Sequence, residues 1–124
     1  MTGEAAKPAI EGDAPILLPS GQQVTFLDAI WNEPGPGGLT TRFRFLAPDI
    51  GTGGTVGFDL AVEDMAYLCE SYALPRVADN IPPPQQIIIT LFDRPVAFGE
   101  AAPEATQYFE AYRIEDGLCI WEIY

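Results

Sequence analysis

The sequence predicts an α+β domain, an antiparallel sheet of four to five strands with one main helix packed on one face. Three stretches predict it. Leu39–Leu46 alternates between two faces, the strand period; Asp59–Ala73 places apolar residues three and four apart, the helix period; Gln86–Phe92 is a β-branched run too short for a helix. With 12 glycines and 12 prolines in 124 residues, the chain favours short elements joined by turns. That length is one domain and 48% apolar residues supply a core, so residues 16–124 read as a single folded unit. Residues 1–15, mostly Ala, Pro, Gly and acid, read as a disordered leader.

Along the chain, Leu17–Gly21 reads as a turn. Gln23–Trp31 follows as a strand; Phe26, Leu27 and Ile30 also have helical spacing, but the next segment supplies a strand partner. Glu33–Gly38 is a turn by composition. In Leu39–Leu46, Thr41, Phe43 and Phe45 share one face and Thr40, Arg42 and Arg44 the other, so the two runs form a hairpin with a long glycine-rich tip. Ala47-Pro48 ends that strand, and Gly51–Thr55 is a flexible loop.

In the helix, Asp59 is the expected N-cap, and Glu63 and Asp64 lie near the positive N-terminal end. Val62, Met65, Ala66, Cys69 and Ala73 form the expected apolar stripe, widened by Leu68 and Tyr72, and Pro75 is expected to stop the helix. Ile81–Pro84 is a stiff connector. Ile87–Phe92 is apolar on both faces, as a central strand is, and Val96–Phe98 offers an edge extension beyond Asp93-Arg-Pro. Residues 104–112 support two readings. Ala105, Tyr108, Phe109 and Tyr112 have helical spacing behind Pro103, whereas Tyr108–Ile114, Asp116-Gly117 and Leu118–Tyr124 together signal a hairpin. The hairpin is the favoured reading.

The composition excludes several functions. Eighteen acidic against six basic residues give a net charge of -12 and a pI near 4.1. Phosphate contacts need Lys and Arg, so direct nucleic-acid binding and attachment to anionic lipid are disfavoured. No apolar run approaches the ~18 residues of a membrane helix. The acidic excess reads most simply as solubility; mimicry of a nucleic-acid backbone calls for a dense stripe, and only Glu63-Asp64 and Glu115-Asp116 are adjacent. With no histidine, Ser–His and Cys–His catalysis are excluded, and a closed zinc site lacks its ligands. Neither a calcium loop nor the Gly-Lys-Ser/Thr ending of a P-loop is present, so no metal or cofactor is expected.

Some chemistry stays open. Asp28, Glu33, Asp49, Asp93 and Glu100 fall near strand ends or loops, where a carboxylate pair would serve a hydrolase as acid and base; scattered surface carboxylates are the plainer reading. Arg42 and Arg44 share a strand face, with Arg94 and Arg113 expected nearby, a candidate site for a carboxylate or phosphate ligand. Pairing with acids across the sheet is the plainer reading there. Trp31, Trp121, Tyr67, Tyr72, Tyr108, Phe109, Tyr112 and Tyr124 are expected mostly in the core, and any left exposed together would mark a protein-binding face. Open sheet edges admit a homodimer.

Cys69 faces the core side of the helix, and Cys119 shares a strand face with Trp121 and Ile123. An even count and compatible faces predict a Cys69–Cys119 disulfide, the alternative being two separate buried thiols. Without Cys-x-x-Cys spacing, a redox-active pair is not expected.

Six strings carry a family resemblance: Leu18-Pro-Ser-Gly-Gln22, Arg42-Phe-Arg-Phe-Leu-Ala-Pro48, Asp64-Met-Ala-Tyr-Leu-Cys69, Asp93-Arg-Pro-Val-Ala-Phe-Gly99, Ala105-Thr-Gln-Tyr-Phe-Glu-Ala-Tyr112 and Gly117-Leu-Cys-Ile-Trp-Glu122. Over roughly Leu17–Tyr124 the chain resembles a small alphaproteobacterial family of unknown function. The resemblance implies retention of both cysteines and export behind a signal peptide; it implies no activity and no catalytic residues. The start, Met1–Pro8, has no apolar signal core. The leading expectation is therefore a non-enzymatic exported (periplasmic or secreted) domain that binds a protein or a small anionic ligand. The alternatives are a cytosolic acidic decoy of a nucleic-acid-binding protein and a small hydrolase with paired carboxylates.

Overall fold

The computed structural model describes residues 14–35 and 38–122. The expected leader, apart from Ala14 and Pro15, lies outside the described residues, as do the hairpin tip at 36–37 and residues 123–124. The architecture is mixed α+β. Six strands run β1 (Ile16–Leu17), β2 (Gln23–Gly35), β3 (Gly38–Leu46), β4 (Gln86–Phe92), β5 (Gln107–Glu115) and β6 (Leu118–Glu122), adjacent in that order across one sheet. Between β3 and β4 lie a short 3₁₀ turn (Pro48–Ile50) and the main helix, α1 (Phe58–Leu68), which passes through a π turn (Cys69–Ala73) into α2 (Leu74–Val77).

Two expectations are corrected. The sheet has six strands rather than four to five, and it is not wholly antiparallel, because β3 and β4 run parallel. The cause is the helix. A chain that leaves β3, crosses a face as a helix and returns beside the same strand arrives in the same direction. The β5–β6 pair is the predicted hairpin, not a helix: Asp116 (φ 56) and Gly117 (φ 74) are both left-handed, as a two-residue turn between twisted strands requires.

One face of the sheet takes the helix. Phe43 and Phe45 of β3, Ile87, Ile89 and Leu91 of β4, and Tyr112 of β5 are buried against Ala61, Met65, Leu68 and Cys69. Each such Phe, Leu or Ile contributes about 1.5–3 kcal/mol by leaving water. The helix is turned relative to the expected stripe. Asp64 is fully buried and Ala66 is exposed. Asp64 Oδ1 accepts from the Ser20 backbone N–H (2.9 Å), and its Oδ2 accepts from Ser20 Oγ (2.5 Å) and Gln22 Nε2 (2.7 Å), which ties the β1–β2 turn to the helix.

The helix ends also differ from expectation. Gly57, not Asp59, occupies the N-cap, with no side-chain cap; Asp59 sits in the first turn, where its charge suits the helix dipole. Pro75 does not end the helix, which continues to Val77. The preceding π turn explains this: the Leu74 N–H reaches back to Cys69 O, so the widened turn absorbs the absent proline donor and its ring.

The disulfide is formed. Cys69 and Cys119 are bonded, with Cα atoms 6.3 Å apart and a sequence separation of 50. It ties the end of α1 to the edge strand β6. The Cys119 backbone N–H also donates to Glu70 Oε2 at 2.7 Å, so one of the outward amides of that edge is covered. No helix among the described residues is long and apolar enough to cross a membrane.

Candidate functional site

The site grows from the sheet face that the helix leaves open. Arg42 and Arg44 are two apart on β3 and therefore project to the same side. In register beside them, β4 supplies Thr90 and Phe92, and β5 places Gln107 opposite Phe92. The connection from 93 to 106 folds over this end of the sheet. Its ends are laced together, because Asp93 N donates to Thr106 O (3.0 Å) and Thr106 N donates to Asp93 Oδ1 (2.9 Å). This is the geometry of a compact Ω loop. Val96, Ala97, Phe98 and Glu100 from the loop close a concave pocket of about 270 Å³ over the arginines.

The two arginines have different electrostatic situations. Arg44 is buried and paired: Nε and Nη2 donate to the two oxygens of Asp28 at 2.6 and 2.7 Å, and Nη1 donates to Val96 O at 2.8 Å. Its guanidinium also lies 5.4 and 5.6 Å from the ring centroids of Phe92 and Phe98. Arg42 donates through Nη1 to Thr90 Oγ1 at 3.3 Å and lies 6.0 Å from the Phe98 centroid. Among the described residues it has no carboxylate partner, and its Nε is buried with no acceptor. An uncompensated cation thus lines a pocket on a chain of net charge -12.

A β-bulge creates this difference. In β2, Phe26 pairs with Phe45 on the core side, yet Asp28 pairs with Arg44 on the outer side, because Leu27 is an extra residue in the strand. Strict alternation would have put Asp28 opposite Phe43, facing the core. The bulge instead delivers the carboxylate to Arg44 and leaves Ile30 opposite Arg42.

A model described as a family of unknown function (DUF6497) matches residues 2–124. The chain belongs to DUF6497. No curated protein and no solved structure matches it.

In this DUF6497 chain the four arginines singled out from sequence do not form one cluster. Arg42 and Arg44 line the pocket together. Arg94 follows the end of β4, is exposed, and pairs with Asp93 at 3.3 Å. Arg113 stands opposite Gln86, whereas Arg44 stands opposite Thr90, four residues along β4. That spacing is roughly 13 Å of strand. Arg113 pairs there with Glu115 (2.6 Å) and Glu122 (3.6 Å).

Other candidates from the sequence find structural uses in the DUF6497 fold. Of the carboxylates, Asp28 is held by Arg44 and Asp93 by Arg94 and the Thr106 amide. The Gly51–Thr55 loop turns on itself, with Gly54 N donating to Gly51 O (2.8 Å) and Val56 N to Asp49 O (3.0 Å), so those amides are spent. Of the Trp, Tyr and Phe109 side chains expected mostly in the core, Trp31, Tyr67, Phe109 and Trp121 are exposed, Tyr72 and Tyr108 are half-buried against the core, and Tyr112 is buried. A single helix covers the middle of one sheet face, so strand aromatics beyond it stay in water, and Tyr67 lies on the outward side of the helix itself. Phe98 and Thr90 were not foreseen as site residues. The one signal for Phe98 was its place three residues beyond Pro95 in a loop next to a central strand.

Proposed function

We propose that this protein is a non-enzymatic, exported binding domain that holds a small anion in the Arg42 pocket. One observation carries the reading: the Arg42 guanidinium has no carboxylate partner among the described residues and borders a concave, partly aromatic space. A buried or half-buried charge without a partner is costly, and a charge-assisted hydrogen bond to a ligand anion removes that cost. The ligand-binding role fits a site of this shape, concave with a few convergent polar groups. Asp28 and Asp93 favour a binding role over hydrolysis, because each is already engaged with an arginine.

Export is supported by the Cys69–Cys119 bond, since disulfides form and persist in oxidising compartments and are rare in the cytosol. The same bond weighs against the cytosolic decoy.

Calorimetric titration of the disulfide-bonded protein with acetate, phenylacetate, succinate and inorganic phosphate tests the binding role. At least one anion is expected to bind with 1:1 stoichiometry and to lose its affinity in Arg42→Gln. Absence of binding by all four at millimolar concentration would refute the proposal. Export is checked by alkylating denatured protein from its native source with and without reductant; alkylation of both thiols without reductant would refute it.

A further inference from the structure

We infer that the Arg42 pocket selects a monocarboxylate with an apolar or aromatic body over phosphate and over dicarboxylates; this rests on the anion-binding role proposed above. The charge count comes first. Asp28 neutralises Arg44, so Arg42 is the uncompensated cation among the two arginines that line the pocket. Glu100 lines the same pocket with a negative charge. The Arg42 guanidinium, which forms no ion pair among the described residues, offers one charge-assisted contact to a ligand anion, and the Glu100 carboxylate on the same wall disfavours a second negative charge, because like charges close together in a partly desolvated site are costly.

The donor geometry agrees. Nη1 of Arg42 is spent on Thr90, which leaves the Nε–Nη2 edge of the guanidinium unpaired among the described residues. That edge is the fork that matches the two oxygens of a carboxylate. Apart from the arginines, much of the wall is apolar: Phe92, Val96, Ala97 and Phe98 contribute to it. The volume, about 270 Å³, falls just under the roughly 300–1,000 Å³ of drug-sized sites, so the body of the ligand is small.

Phe98 governs access to the fork. It lies over both guanidinium groups yet is 49% exposed, so the core does not lock it in place. The loop that carries it is fixed on either side, by Arg44 on Val96 O and by the Asp93–Thr106 lacing. When the Phe98 ring turns outward, the carboxylate reaches Nε and Nη2, and the ring then covers the ligand body.

The test is calorimetric titration of the disulfide-bonded full chain with phenylacetate, isovalerate, acetate, succinate and inorganic phosphate. Phenylacetate and isovalerate are expected to bind at least tenfold more tightly than the other three. Arg42→Gln is expected to lose tenfold or more for both, and Glu100→Gln to narrow the discrimination against succinate. If Arg42→Gln fails to fold by circular dichroism, Phe98→Ala replaces it, with loss of the preference for phenylacetate over acetate as the expected result. Phosphate or succinate binding as tightly as phenylacetate would overturn the selectivity and leave the anion-binding role standing. Undiminished phenylacetate binding in Arg42→Gln or undiminished preference in Phe98→Ala would also overturn it, and no binding by any of the five would remove both.

Discussion

Asp28 grips Arg44 through both carboxylate oxygens, at 2.6 and 2.7 Å, while Arg42, two residues along the same strand face, forms no ion pair among the described residues. The two arginines therefore serve different ends. Arg44 anchors the pocket: it joins β2 to β3 and holds the loop through Val96.

Replacing them separates architecture from binding. Arg44→Gln strips Asp28 and Val96 O of charged donors and should cost about 1–3 kcal/mol, discounted because Asp28 is 43% exposed. Arg42→Gln removes a charge with no acid partner among the described residues and should change stability by less than about 1 kcal/mol. Urea unfolding midpoints of the two variants measure the contrast.

The disulfide should stabilise the fold without being needed for it. It closes a 50-residue span, which typically contributes about 2–4 kcal/mol, while the core of Phe43, Phe45, Met65, Ile89 and Leu91 lies around it. Cys69→Ser with Cys119→Ser is expected to lower the unfolding free energy by that amount and to keep the native circular dichroism spectrum. Loss of that spectrum would contradict the expectation.

Asp64 is the polar weight of the core. It accepts three hydrogen bonds from Ser20 and Gln22. Asp64→Ala leaves those donors facing an apolar surface and should cost roughly 2–4 kcal/mol, read from denaturant unfolding. Hydrogen exchange should rise first in the Leu18–Gln22 turn, whose attachment to the helix is lost.

Tyr112 presents the opposite case. Its hydroxyl is buried with no partner among the described residues, and burial, followed by the Glu110 charge, pushes its ionisation upward. Tyr112→Phe removes an unsatisfied group and keeps the ring, so thermal unfolding should show equal or higher stability, by up to about 1 kcal/mol.

Asp93 gives the loop a pH dependence. The hydrogen bond from Arg94, and less strongly the Thr106 amide, hold its carboxyl below the ordinary 3.8, while burial works the other way. A carboxyl lowered in the folded state stabilises above its unfolded value, and the contribution fades as pH falls through the folded one. The stability difference between wild type and Asp93→Asn, set by urea unfolding at neutral pH, should therefore shrink as acid is added from about pH 4 downward.

Local rules made much of the fold legible. Period-two alternation assigned Phe43 and Phe45 to one face and Arg42 and Arg44 to the other, and Asp116-Gly117 marked the final turn. What escaped was set by distant partners. Asp64 is buried because Ser20 and Gln22, more than forty residues away, turn the helix toward it. Asp28 reaches Arg44 because Leu27 is an extra residue, and a bulge shows only once two strands are in register. Pro75 lies within the helix because a π turn before it changes the hydrogen-bond register. The arginine pair was legible as a candidate site, and cross-strand pairing with an acid as its plainer reading; which of the two is paired, and with which acid, was not.

The Cys69–Cys119 bond also determines how the molecule responds to being cut. Glu100 and Glu104 are exposed in the loop over the pocket, and both lie within the covalent ring that the disulfide closes. A protease that cleaves after either glutamate leaves one body, heavier by a single water, whose halves part only after reduction. The nicked chain keeps both sides of the pocket tethered, the arginines on β3 and the severed loop strung between β4 and β5.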